Sequence, residues 1–130
     1  MVKRIDLHRF VDKARVHEAI TATERQTSAP IHVSLAPYFW GNVRRTAERA
    51  FRKRGLERTP NRNGVLFFVV PSRREFAIIG DIGAHEALGQ PAWEAVVELM
   101  QERFSHDDAT GALIVGIDEI GRALGVHFPP

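Results

Sequence analysis

The sequence predicts an α/β domain in which a small mixed sheet, a βαβ unit plus one antiparallel hairpin strand, is sandwiched between α-helices. Three observations carry that prediction. Ile31-His-Val-Ser-Leu35 alternates apolar and polar residues at period two, the mark of a strand with one apolar face. Val65–Val70 is apolar at every position, as in a strand covered on both faces. Between them, residues 42–55 place Val43, Ala47, Ala50 and Phe51 at helical spacing. Strand, helix, strand in that order makes a parallel pair with a right-handed crossover. A sheet with an apolar central strand then requires helices on both faces.

The remaining elements follow in order. Residues 6–11 suit a short helical turn, with Leu7, Phe10 and Val11 inward. Asp12 can cap a helix over 12–27 through its side-chain oxygen, and Val16, Ala19, Ile20 and Thr23 share one face of it. Ser28-Ala-Pro30 ends that helix, because proline lacks an N–H and restricts the residue before it. After the first strand, Pro37 is a stop. Gly55 ends the 42–55 helix, and 56–63 is polar loop. Pro71-Ser-Arg-Arg74 is a tight connection, and the chain returns through 76–80 as the antiparallel partner. Residues 81–90 read as loop, or loop with a single helical turn. Pro91 suits the first position of a third helix, striped by Trp93, Val96, Val97, Met100 and Phe104. Asp107 or Asp108 caps a fourth, whose inner face is Leu113, Ile114, Ile117, Ile120 and Leu124. Gly111, Gly116 and Gly121 weaken that helix but allow close packing.

A single domain over residues 1–130 accommodates all of this. There is no cysteine, which excludes disulfides, thiolate metal sites and thiol catalysis. The charged start MVKRIDLHRFVDKARV has no apolar signal region, and no run approaches the roughly 20 apolar residues of a membrane span. The expectation is a soluble, cytoplasmic protein. Arginines cluster between Arg44 and Arg62, but the net charge is only +2. A solvated helix face is the plainer reading of that cluster, with anion or nucleic-acid binding through helix 42–55 as the alternative.

The topology sorts polar residues to two ends of the sheet. One end collects Glu24 and Thr27 after the first helix, Asn61 and Asn63 before the second strand, and Asp81 after the third, with His85 and Glu86 close behind. Carboxylate and amide oxygens suit a hard cation, Ca²⁺ or Mg²⁺, so Asp81, Asn63, Glu24 and Asn61 are candidate ligands. Ordinary turn chemistry explains Asn63-Gly64 and Gly80-Asp81 equally well. The other end collects Tyr38, Phe39 and Trp40 with Arg73 and Arg74. Aromatics beside arginines suit an anion or a protein partner; the alternative is that Phe39 and Trp40 staple the second helix to the core. No HExxH, GxSxG or GxxxxGK[ST] motif occurs, and the six histidines are scattered.

The ordered set NGVLFFVVPSRREFAIIGDIG, the Trp93 helix, then Gly111-Ala-Leu, Gly121 and His127-Phe-Pro resembles the TPM domain family. The upstream helix ending in Glu24, Thr27 and the strand IHVSL agree with it. The resemblance covers about residues 12–129 and is to short soluble bacterial versions. It implies a sheet between helices, divalent-cation binding in some members, and the acid phosphatase activity ascribed to a plant member. It also implies work alongside membrane-protein partners. Asn63-Gly64 and Gly80-Asp-Ile-Gly83 match the family's turns, whereas Pro30 stands where many soluble members carry glutamate. The expected function is a binding or assembly module with Ca²⁺ or Mg²⁺ as candidate cofactor; the alternative is a metal-dependent phosphatase acting on phosphomonoesters.

Overall fold

The computed structural model describes residues 11–36 and 39–130. Its elements are α1 (Lys13–Glu24), β1 (Ile31–Leu35), α2 (Val43–Lys53), β2 (Val65–Val70), β3 (Glu75–Gly80), α3 (Ile82–Leu88), α4 (Gln90–Ser105) and α5 (Ala109–His127). The strands form one sheet in the order β1-β2-β3. β1 pairs with β2 in parallel from Ile31 opposite Val65 to Leu35 opposite Val69. β3 is antiparallel to β2, with Gly80 opposite Val65 and Glu75 opposite Val70. This is the mixed sheet expected from the apolar patterns.

The side-chain period of two divides the central strand between two cores. Val65, Phe67 and Val69 point into a large core with α1, α4 and α5. Leu66, Phe68 and Val70 point the other way, onto Val43, Ala47 and Phe51 of α2 and onto Leu56. Every residue of β2 is buried, which explains its unbroken apolar run. α5 lies against α1 and α4, and Gly116 is what lets it come close: a Cβ there would sit 2.6 Å from Met100 Sδ and 3.0 Å from Phe67. The glycines that weaken this helix intrinsically therefore permit its packing.

Caps set the helix boundaries. Asp12 accepts the N–H groups of Ala14 and Arg15, Asn42 that of Arg45, and Asp108 that of Gly111. α1 ends at Glu24 rather than Thr27, because Thr27 is buried and donates to the Phe128 carbonyl at 2.7 Å while accepting from Ala29 N–H. Those bonds tie the chain leaving α1 to the C-terminal end. The expected turn at 6–11 lies, apart from Val11, outside the described residues.

One element departs from expectation. Residues 82–88 are a helix of two turns, not loop. The Asp81 side chain caps it, and its apolar residue Ala84 is fully buried. So short a segment carries little periodicity to read, and its stability comes from packing on α4 and α5.

Candidate functional site

At one end of the sheet the chain passes from Thr59 to Gly64, enters β2, and returns through β3 to Asp81. The register brings Asp81 beside Gly64: Asp81 N–H donates to the Gly64 carbonyl at 2.9 Å. Arg62 therefore lies opposite the start of α3. Its backbone takes the left-handed conformation, at φ 49°, which aims its carbonyl at α3. That carbonyl accepts from Gly83 N–H at 2.7 Å. Only glycine fits at position 83, since a Cβ would lie 2.2 Å from the Asn61 carbonyl oxygen and 2.7 Å from that of Arg62.

The same turn delivers the Arg62 side chain to Asp81. Nε donates to Oδ2 at 2.6 Å and Nη2 to Oδ1 at 2.8 Å, a two-pronged pair, and Ile82 N–H donates to Oδ1 at 2.9 Å. The Asp81 side chain is 8% exposed, the Arg62 side chain 52%. The Arg62 hydrogen bonds hold the Asp81 carboxyl below the usual aspartate range, against the opposing effect of burial; the Ile82 N–H and the guanidinium charge act in the same downward direction. Asp81 in turn raises the Arg62 pKa, chiefly through the hydrogen bonds.

The four candidate cation ligands are placed as follows. Asn63 is buried; its N–H donates to Thr59 Oγ1 and its Oδ1 accepts from that hydroxyl at 3.5 Å. Asn61 is exposed, its carbonyl under Gly83. Glu24 is exposed at the end of α1, its side chain without a hydrogen bond or ion pair among the described residues. Asp81, Asn61 and Asn63 thus share the sheet end that topology assigned them. As placed they do not fit a cation shell: a guanidinium fills the position a cation would take on Asp81, the only buried carboxylate among the described residues. Three of about four lone-pair positions on Asp81 are already occupied. Among the described residues, no group of three or more His, Asp or Glu side chains converges as a metal ligand set. Arg62 is the residue that spacing alone undervalued. The register is its signal, because pairing Gly64 with Asp81 puts residue 62 next to the start of α3.

At the opposite end, the aromatic and arginine residues divide their roles. Tyr38 lies outside the described residues. Phe39 packs edge-on against Phe68, with ring centroids 5.9 Å apart, so it does staple the chain to the α2 core. Trp40 does not: it is 97% exposed. Arg73 brackets the loop, donating to the carbonyls of Phe39 at 3.2 Å and Gly41 at 2.8 Å while its guanidinium lies over the Phe39 ring. Arg73 also pairs with Glu75, and Arg74 with Asp107 at 2.7 Å. Both arginines are thus committed to intramolecular partners, and Trp40 stands out from a loop fixed on either side of it.

The basic helix α2 buries Val43, Ala47 and Phe51 and turns Arg44, Arg45, Arg49 and Arg52 to solvent, with Arg44 paired to Glu48. That is the solvated face its pattern suggested. The histidines stay apart in role. His32 is half-buried beside Arg54; burial and then that charge lower its pKa. His85 stacks on Trp93, whose indole N–H donates to the His85 carbonyl at 3.4 Å.

Comparisons with known proteins agree with this architecture. The BA42 protein from the psychrophilic bacterium Bizionia argentinensis sp. nov. is similar at 31% identity and a TM-score of 0.81, over 90% of this chain and 80% of that one. The N-terminal domain of the cg2496 protein from Corynebacterium glutamicum shares the fold at 16% identity and a TM-score of 0.64, over 88% of this chain and 70% of that one. No curated protein matches the sequence. No helix among the described residues is long and apolar enough to cross a membrane. The family model of the TPM domain matches residues 9–123, and the chain therefore belongs to the TPM domain family.

Proposed function

We propose that this TPM domain is a protein-binding module whose contact surface centres on Trp40. The observation that carries this is an indole 97% exposed on a backbone held by Phe39 on one side and by the Arg73 bond to Gly41 on the other. An indole on a fixed loop loses little further freedom when a partner covers it. Covering roughly 200 Å² of it is worth about 5 kcal/mol before the costs of association. Tryptophan and arginine dominate the energetic centres of protein interfaces, and Arg73 here serves Trp40 indirectly, by fixing its loop.

The cation reading attaches to the opposite end. It requires Arg62 to leave Asp81, and the bidentate geometry favours the pair as it stands. Phosphoryl transfer needs a free carboxylate or other group to orient the nucleophile. The Asp81 carboxylate already caps α3 and holds Arg62, so the geometry supports the binding module over the phosphatase.

The test is affinity capture with wild type and Trp40→Ala side by side. Tryptophan emission is then recorded as the captured partner is added back. Trp93 is buried and Trp40 is not, so a blue shift reports Trp40. The expected result is loss of capture by Trp40→Ala and a blue shift in wild type only. Equal capture by both proteins overturns the assignment of Trp40.

A further inference from the structure

Among the described residues β3 is an edge strand, with no strand on its outer side. Three backbone bonds set its phase. Val65 N–H donates to the Pro30 carbonyl and Ala36 N–H to the Val69 carbonyl, so odd-numbered β2 residues bond toward β1. Asp81 N–H donates to the Gly64 carbonyl, so even-numbered ones bond toward β3. In the antiparallel register Leu66, Phe68 and Val70 face Ile79, Ala77 and Glu75. The alternation of antiparallel ladders then turns the N–H and C=O groups of Phe76, Ile78 and Gly80 outward. No hydrogen bond to these outward groups exists among the described residues.

Among the described residues no strand or loop pairs with this edge. Its sequence EFAIIG carries no proline and no lysine, the usual guards of an exposed edge. It runs instead along the floor of a groove between α2 and α4. Two adjoining cavities of about 530 and 380 Å³ share Arg44, Ile78 and Val97, and between them they follow β3 from Glu75 to Gly80. The walls differ in charge. Arg44 stands on the α2 side, and Glu94 and Glu98 on the α4 side. A strand added to this edge would lie about 4.8 Å from β3.

We propose that this groove binds an extended segment of a partner protein as a fourth strand, with basic side chains at every second position facing Glu94 and Glu98 and acidic or polar ones between them facing Arg44. Main-chain bonds to Phe76, Ile78 and Gly80 supply the affinity, and the walls supply the specificity. A second copy of this chain fits less well. Antiparallel pairing of two β3 strands about an axis normal to the sheet sets α4 against α4 and α2 against α2. Glu94 and Glu98 then meet their own copies, and Arg44 meets Arg44, so like charges oppose. The proposal rests on the reading of the chain as a binding module but not on Trp40, although Asn42 at the near end of the groove is a close chain neighbour of Trp40.

The experiment selects a displayed library of random decapeptides on the full chain, then measures the enriched peptides against variants. Ile78→Pro removes an outward N–H and no internal ladder bond, a setting in which an edge strand tolerates proline. Enriched peptides should carry basic residues at period two. Their affinity should fall about tenfold or more with Ile78→Pro, as expected for a lost main-chain bond and disturbed pairing. N-methylation of alternate peptide amides should abolish binding in one phase and spare it in the other. The double variant Glu94→Lys with Glu98→Lys, at exposed positions, decides the matter if Ile78→Pro does not fold, and should reverse the charge preference. No enrichment, enrichment without the period, or binding indifferent to N-methylation and to the charge reversal overturns the proposal. Loss of binding with Trp40→Ala but not with these variants would leave the Trp40 surface standing and remove the groove.

Discussion

The Asp81 end and the Trp40 end of the sheet contain similar materials and treat them differently. Each has arginines on a turn beside a strand end. At the first, Arg62 meets Asp81, and the pair closes on itself with the cap of α3. At the second, Arg73 and Arg74 are bound to the carbonyls of Phe39 and Gly41, to Glu75 and to Asp107, and an indole is left with no apolar surface to meet. Charged side chains can satisfy each other within one chain, so a cluster of them is first a structural device. A large apolar side chain held in water has no such internal remedy. It is the second end, poorer in obvious ligands, that points outward.

The Asp81 end is most sensitive at Gly83. Gly83→Ala drives a methyl group into two carbonyl oxygens and should destabilise the protein by about 2–3 kcal/mol, as overpacking does, seen in urea or thermal unfolding. An unchanged midpoint would mean that the Asn61–Arg62 turn is not held as described. Asp81→Ala removes the cap and the acceptor for Arg62, and should cost about 1–2 kcal/mol. Asp81→Asn sharpens the electrostatic part. Because the Asp81 pKa is lowered on folding, its contribution is fully present above the unfolded value of about 3.9 and is lost as pH falls below it. The stability gap between wild type and Asp81→Asn should therefore be constant near neutrality and close below about pH 4; a gap that widens in acid would contradict the pairing.

A smaller effect separates guanidinium from cation. Ca²⁺ should raise the melting temperature of Arg62→Gln more than that of wild type, since only the variant leaves Asp81 without its internal partner. A larger shift in wild type would show the cation binding elsewhere than at Asp81. The smallest effect belongs to Trp40→Ala, within about 0.5 kcal/mol of wild-type stability as for an exposed site. A substantial loss would mean that the indole packs at home and would weaken its role as an anchor.

Much of this molecule is legible in the sequence. The apolar run of Val65–Val70 specified a strand buried on both faces, and the period of two at Ile31–Leu35 specified one beside it. Asp12 marked one helix start by the local chemistry of a side-chain cap, and the Asp107–Asp108 pair marked another. Even the two ends of the sheet could be populated with the right residues, because parallel and antiparallel connections leave few alternatives. These features depend on neighbours a few residues apart, which is the range over which a sequence can be read directly.

What tertiary structure alone decided is which polar group meets which. Arg62 and Asp81 are distant in the chain, and only the β2–β3 register together with a left-handed turn brings a guanidinium onto that carboxylate. The same holds for Phe39 and Trp40, adjacent aromatics of which one enters the core and one is left in water. Helix α3 also belongs here, being too short to declare itself by periodicity and stabilised by the elements it packs on. Local pattern determines which elements form; the long-range register determines which of their side chains remain free to meet another molecule.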